Sequence, residues 1–483
     1  MKTVSAFRVS RRSLMKSGAA LAGAAALGGT FPNIVRAQGS GTLRVLLAGD
    51  PFYYAIEGLK DQFQQETGIT LEIEAISTEA LQARLTSSFI SNEPDADVIS
   101  VDQMWLGQYL ESKWILPLNE FIKADSDTAI DDFIPEVLYS MNTWRGQVGT
   151  LPVASYGQMV LYRKDFVDEA GIKIPEDGSW TWSDYLDTVK ALHGKSFGGT
   201  TMSGTVLAGQ QPAPVVHMFT QLAASMGTRW FKSFPTGSAW DFTPTVDSPE
   251  NREALKLFLE LYKLSPAESV GYNWFDAGMR FAKGDIGMFY WWTPYAYLCR
   301  KDGYMTGKDS VVADKLGIVR LPKAPDHHQV VSLGGHSLGI AGNTGKREAA
   351  WQFVKWATSA KTQKAMALYD KYGYQFSDFA RPSLYADPDL LKIYPYLPGQ
   401  IGDIRAGNGK IVRPPCPVYT TLEGIYGLNL NKVLTGAMTP EACLSETSTF
   451  FETILKGNFL IPYQQASYDD TLEATKALMA SLA

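Results

Sequence analysis

The sequence predicts an α/β fold built on a parallel sheet, and three observations in residues 43–101 carry that prediction. Leu43-Arg44-Val45-Leu46-Leu47 is a short apolar run of buried-strand type, and after the loop Ala48-Gly49-Asp50-Pro51 the residues Ile56, Leu59 and Phe63 recur at helical spacing until Gly68. Leu71, Ile73 and Ala75 alternate with Glu72 and Glu74, which marks a second strand. A polar helix around Leu81 to Ile90 then leads to a third strand, Asp97-Val98-Ile99-Ser100-Val101. Strands that alternate with crossover helices pair in parallel, and such sheets bind ligands beyond the carboxyl ends of their strands. Asp50 and Asp102 each stand just past a strand and are the first candidate site residues.

The pattern restarts at Leu151-Pro152-Val153-Ala154-Ser155-Tyr156-Gly157, followed by a strand over Met159–Tyr162 and a helix that Asp165 can cap and Gly171 can end. Thr181-Trp182-Ser183-Asp184 opens another helix, with Trp182 expected in the core. Residues 199–248 are rich in Gly, Ser, Thr and Pro and read as an irregular insertion carrying Trp230 and Trp240. Farther on, Phe281 to Trp292 is a turn feeding a strand that ends in two tryptophans. Ser332 to Ile340 is strand-like, and Ala349, Ala350, Phe353, Val354 and Ala357 mark one face of the next helix. The remainder to Ala483 reads mostly as helices between Pro and Gly segments.

Composition limits what such a chain can do. Its 483 residues are 45% hydrophobic and 19% charged, enough for a large core in two or three domains and incompatible with disorder or a small disulfide scaffold. Among 12 Trp, 23 Tyr and 23 Phe, the tryptophan count is more than packing alone explains and suggests a few aromatic binding surfaces, with most of the other aromatics in the core. Forty-four basic against 50 acidic residues argue against nucleic acid or an anionic membrane as partner. Residues 1–37 hold six basic and no acidic side chains, and Gly18–Gly29 are Ala, Gly and Leu, so this segment reads as a signal peptide. Ser10-Arg11-Arg12-Ser13-Leu14-Met15-Lys16 resembles the twin-arginine export consensus, and Val35-Arg36-Ala37 suits cleavage before Gln38. Removal of 1–37 leaves a net charge of −12. No cysteine follows the apolar run, so a periplasmic product without a lipid anchor is expected. Cys299, Cys416 and Cys443 are far apart, allow at most one disulfide, and are expected to be reduced and buried.

Taken in order, several short stretches resemble the bacterial solute-binding proteins of ABC importers, in the carbohydrate-binding branch (family 1). They are Asp95-Ala96-Asp97-Val98-Ile99 leading to Asp102 and Trp105; Leu151-Pro152 to Tyr162-Arg163-Lys164-Asp165 and Glu169-Ala170-Gly171; Thr181-Trp182; Phe281 to Met288; Gly334-Gly335; and Glu348-Ala349-Ala350-Trp351-Gln352-Phe353. The second half of the insertion and the last 100 residues match least. The resemblance implies a two-lobed periplasmic-binding-protein fold with hinge-linked, discontinuous lobes and a ligand cleft between them. Mapped onto this chain, residues 38–154 plus 322–365 form lobe 1 and 155–321 plus 366–483 form lobe 2, with crossovers near Ala154-Ser155 and Leu321-Pro322. It further implies a monomer that takes a carbohydrate or polyol, hands it to an inner-membrane ABC permease, and uses no cofactor, metal or catalytic residue.

A sugar or polyol site needs aromatic planes for C–H faces and directional partners for hydroxyls. Candidate walls are Trp105, Tyr156, Trp240, Trp291 and Trp292; candidate polar contacts are Asp50, Asp102, His336 and Arg381, with the backbone of Gly335. Tyr53 and Trp274 are weaker candidates. Each has a plainer reading. Asp50 and Asp102 can simply cap the helices that follow them, Gly334-Gly335 can be a bulge, and Arg381 can form a salt bridge. Trp291 and Trp292 point to opposite faces of a strand, so one is expected in the cleft and one in the core. His327-His328 reads as a solvated loop rather than a metal pair. A carbohydrate-active enzyme is the main rival, because aromatic clefts with paired carboxylates also describe glycosidases. A cofactor-bearing oxidoreductase lacks its Gly-x-Gly-x-x-Gly fingerprint here.

Overall fold

The computed structural model describes residues 41–483 except 94, 176, 235–239, 301–309, 326, 328, 372–375 and 457–469. The export signal, with Arg11, Arg12 and the 35–37 junction, and His328 lie outside the described residues. The three expected strands are β1 (Thr42–Ala48), β2 (Thr70–Ile76) and β3 (Val98–Val101), linked by α1 (Pro51–Thr67) and α2 (Thr78–Ser91). Pro51 starts α1, and Gly68, at φ +78°, ends it by returning its N–H to Gln64 O. The Ser77 hydroxyl accepts from Ala80 N and starts α2.

The chain continues through β4 (Leu151–Tyr156), β5 (Gln158–Arg163), α3 (Trp182–Leu192), α4 (Ala213–Ser225), α5 (Pro249–Lys263), α6 (Trp274–Ala282) and β6 (Met288–Trp292). It ends with β7 (Leu316–Val319), β8 (Gly334–Ile340), α7 (Arg347–Thr358), α8 (Ala360–Ala367), α9 (Tyr419–Leu434), α10 (Pro440–Lys456) and α11 (Leu472–Leu482).

These strands form two main sheets. The first has the order β2-β1-β3-β8-β4, with β1 parallel to β2 and β3, and β8 antiparallel to β3 and β4. The second has the order β6-β5-β7 and is antiparallel. The chain passes from the first sheet to the second at Gly157, after β4 has kept its pairing with β8 through Tyr156. It returns between Val319 and Gly334. Helix α9 packs on α4 and α10 near the second sheet, whereas α11 packs against residues 119–142 beside the first. A buried ion pair, Lys410 Nζ to Asp470 Oδ2 at 2.6 Å, anchors the chain just before α11.

The expected irregular insertion contains α4, all but one of whose residues are buried. A helix buried all round shows no polar face, so its apolar residues carry no amphipathic period to read. Trp182 is in the core as expected, donating its indole N–H to Ser225 Oγ at 2.6 Å.

All three cysteines are buried and unpaired, and burial pushes the Cys416 and Cys443 thiols up to about 12. A thiol held neutral and out of solvent does not react. Native protein is therefore expected to leave Ellman's reagent uncoloured, with three thiols appearing in denaturant; rapid native reaction would contradict the buried placement.

Candidate functional site

The carboxyl ends of β1, β2 and β3 each deliver a residue to one chamber: Asp50, Thr78 and Asp102. Tyr156 comes from the end of β4, and Gly335 and His336 come from β8. The opposite wall is supplied from the second sheet and its helices by His217 on α4, Trp274 at the start of α6, Trp292 at the end of β6, and Tyr295, with Arg413 completing it. This inner chamber has a volume of about 50 Å³. It adjoins an outer chamber of about 390 Å³ through their shared Thr78 and Trp274. Trp105, Gln82, Gln210, Gln211 and Glu423 help line the outer one.

Two glycines permit the close packing here. Gly335 has φ +90°, and a Cβ on it would meet Ala154 O at 2.4 Å. A Cβ on Gly334 would come within 2.6 Å of Arg413 Nη2 and 2.9 Å of the Trp292 ring. The strand register shifts one step on, between His336 and Ser337, rather than at the glycine pair itself.

Arg413 is almost wholly buried. Its Nη2 donates to Leu333 O at 2.7 Å, Nη1 lies 3.5 Å from Asp102 Oδ1, and the guanidinium stands 5.1 Å from the Trp292 ring centroid. Asp102 also accepts from Met104 N at 3.4 Å, so it does cap the following turn. Asp50 makes no capping bond. Its Oδ2 accepts from Tyr156 Oη at 3.4 Å and lies 3.3 Å from His336 Nε2, both long contacts.

His217 stacks on Trp274, with ring centroids 5.6 Å apart, and meets Trp292 edge-on at 6.0 Å. Burial, reinforced by the Arg413 charge, holds its pKa below the ordinary histidine value despite Glu423, so the ring is neutral at physiological pH. The neutral ring donates from Nε2 to Glu423 Oε1 at 2.8 Å, an oxygen that also accepts from Tyr419 Oη at 2.9 Å. That assigns the proton to Nε2 and leaves Nδ1 as an acceptor. Four buried atoms of the lining residues have no hydrogen-bond partner among the described residues: the acceptor His217 Nδ1, the donors Trp274 Nε1 and Arg413 Nε, and His336 Nδ1. Buried polar atoms of this kind are satisfied by water or by a ligand.

Six of the ten candidates, Asp50, Asp102, Tyr156, Trp292, Gly335 and His336, come together in the inner chamber, and Trp105 lines the outer one. Three stand elsewhere. Trp240 packs in an aromatic cluster with Trp144, Phe234 and Phe242. Trp291 is fully buried and donates to Trp274 O at 3.1 Å, so of the two tryptophans Trp292 faces the chamber. Arg381 clamps backbone carbonyls of Thr358, Ala129 and Thr128 at 2.7–3.1 Å and covers the Phe133 ring, an arrangement that holds two segments together. Its carbonyl partners leave it part of the core, and its pKa is lowered by burial to about 10.

Tyr53 lies outside the chamber lining, whereas Trp274, a weaker candidate, is central to it. The sequence reading missed Thr78, His217, Tyr295 and Arg413. Two carry a signal in retrospect: His217 is a lone polar ring in the apolar run Pro214-Val215-Val216-His217-Met218-Phe219, and Arg413 is a lone charge in Ile411-Val412-Arg413-Pro414-Pro415.

Residues 49–364 match the family model described as bacterial extracellular solute-binding protein. A mannitol-binding protein of Pseudomonas aeruginosa is 23% identical over 334 residues, covering 68% of this chain and 72% of that protein. An erythritol/L-threitol-binding protein of Mycolicibacterium smegmatis is 23% identical over 344 residues, covering 68% of each. The crystal structure of an ABC transporter solute-binding protein from Agrobacterium radiobacter K84 in complex with ribitol superposes with a TM-score of 0.75 at 27% identity, covering 86% of this chain and 98% of that one. The family match spans most of the chain, including Asp50, Asp102, Tyr156, His217, Trp274, Trp292, Gly335 and His336, and together with the two-sheet architecture it establishes that this chain belongs to the bacterial extracellular solute-binding protein family.

Proposed function

We propose that the chain captures a neutral polyol or sugar between two lobes and delivers it to an ABC permease in the inner membrane. The lobes are 38–154 with 322–365, joined by α11, and 155–321 with the rest of 366–483; twin-arginine export through Arg11-Arg12 brings the unanchored, monomeric protein to the periplasm. The observation that carries this reading is the chamber lining itself: unspent donors and acceptors set around the faces of Trp292, Trp274 and His217. A polyol offers that mixture of C–H surface and hydroxyls. Proteins that bind mannitol, erythritol and ribitol are among those similar to this chain.

Ligand favours closure because it touches both walls, Asp50 and His336 on one and His217, Trp274 and Trp292 on the other.

A thermal-shift panel of neutral polyols, sugars and sugar acids, with product analysis, tests this. At least one neutral compound is expected to raise the melting temperature without being consumed. Sugar acids are expected to bind about 100-fold or more weakly than their neutral counterparts, since Asp50 and Asp102 in the lining repel a further carboxylate. Turnover of any sugar would sink the binding-protein reading, and preferential capture of sugar acids would sink the neutral-ligand claim.

A further inference from the structure

Resting on the polyol and sugar reading above, we infer that Glu423, on α9 and outside the inner chamber, is a positioning residue. It takes the Nε2 proton of His217, fixes the tautomer whose Nδ1 accepts, and so makes this wall select a ligand hydroxyl over a carbonyl, an ether oxygen or a fluorine. His217 reaches the chamber from α4, and α9 packs on that helix. Tyr419 and Glu423 stand four residues apart on α9 and share one of its faces. Glu423 Oε1 meets both His217 Nε2, at 2.8 Å, and Tyr419 Oη, at 2.9 Å. A carboxylate has no proton to give, and burial keeps the Tyr419 phenol protonated by pushing it well above its ordinary range, so both neighbours donate to that oxygen.

The stacked Trp274 ring and the edge-on Trp292 ring hold the imidazole in its plane, and burial together with the Arg413 charge keeps a second proton off it. What His217 has left to offer is then an acceptor, whereas the buried Trp274 Nε1 and Arg413 Nε are donors. A hydroxyl serves both kinds at once, because it donates to Nδ1 while accepting from one of the donors. A carbonyl, an ether oxygen or a fluorine has no proton to donate, and in the same place it leaves Nδ1 buried and unpaired. Selection at this wall is therefore set from α9, by a side chain that a ligand confined to the inner chamber does not meet.

Heteronuclear NMR of the full chain, labelled with heavy nitrogen at histidine, tests the tautomer, with the His217 signals identified by their loss in His217→Phe. At neutral pH the wild-type ring is expected to carry its proton on Nε2 alone. Glu423→Ala opens the vacated space to the outer chamber and its water, which both donates and accepts, so both tautomers are expected there; Glu423→Gln supplies an acceptor again and is expected to restore the wild-type pattern. Titration calorimetry tests the selection, using the tightest-binding member of the polyol and sugar panel, with mannitol, ribitol and erythritol tried first, and its singly deoxyfluorinated analogues. In the wild type at least one fluorine substitution is expected to weaken binding by about tenfold or more. Glu423→Ala and His217→Phe are expected to cut that penalty to about threefold or less, and Glu423→Gln to keep it. A wild-type proton on Nδ1, a Glu423→Ala ring still fixed on Nε2, or a fluorine penalty that neither variant changes overturns the inference and leaves the polyol and sugar reading standing. Failure of the whole panel to bind overturns that reading and this inference together.

Discussion

Replacing Asp50 with alanine is expected to lower affinity for the tightest ligand of the carbohydrate panel by about 100-fold or more, since hydrogen bonds to a charged group contribute about 1.5–3 kcal/mol each. The carboxylate sits beyond β1 with only two long neighbours, His336 Nε2 and Tyr156 Oη, and so retains accepting capacity for two adjacent hydroxyls. The same substitution is expected to move the stability of the free protein by no more than about 1 kcal/mol, because α1 receives no capping bond from this side chain and loses only a charge near its N-terminus. Calorimetric titration and melting of the free variant measure both quantities. A large fall in melting temperature with affinity retained would assign Asp50 to structure instead.

The second large effect concerns stability and pH. Asp378 lies where the chain passes between the sheets: its carbonyl accepts Ser155 N at 3.0 Å, while its carboxyl group is bonded by Thr293 Oγ1, Gln400 Nε2 and more distantly Ser377 Oγ. Thr293 in turn donates its N–H to Gly157 O, at the passage itself. Burial outweighs these donors and pushes the acid up to about 7, from an ordinary value near 4. The folded protein therefore holds a proton there that the unfolded chain has released. Its contribution is fully present below pH 4 and is lost as the pH rises to about 7, a change of about 4 kcal/mol at 1.36 kcal/mol per pH unit.

Asp378→Asn keeps the shape of the neutral acid and abolishes the titration. Denaturant unfolding of both proteins between pH 4 and 8 is expected to show the wild type losing stability relative to the variant across that window. Parallel pH profiles would show that Asp378 is ionised throughout.

Much of the fold was legible because strands and helices write their burial into local periodicity. The alternation in Leu71-Glu72-Ile73-Glu74-Ala75 and the apolar run of Leu43 to Leu47 place β2 and β1 directly. Asp50 and Asp102 followed from the rule that parallel sheets present their carboxyl ends to ligands, and both line the chamber. Helix α4 escaped that logic, since burial on every side erases the period, and His217 escaped with it. The position of α11 depended on a contact between residues more than 300 apart, Thr143 with Thr475, of which neither neighbourhood bears a local trace.

The pair Arg381-Pro382 and Arg413-Pro414 marks where sequence stops and tertiary structure begins. Both arginines precede a proline in an apolar setting, and both are buried. Arg381 closes on the carbonyls of Thr128, Ala129 and Thr358, whereas Arg413 meets Leu333, Asp102 and Trp292 at the chamber wall. The sequence by itself determined the parallel β1–β3 part of the first sheet, the strand-end carboxylates, the glycine pair on β8 and the family, whereas the antiparallel insertion of β8 between β3 and β4 came only with the structure. Only the tertiary structure decided which tryptophan, which arginine and which histidine reach the chamber. The chamber's lining is gathered from stretches as far apart in sequence as Asp50 and Arg413, and burial among them is a property of the folded packing that no stretch of ten or twenty residues encodes.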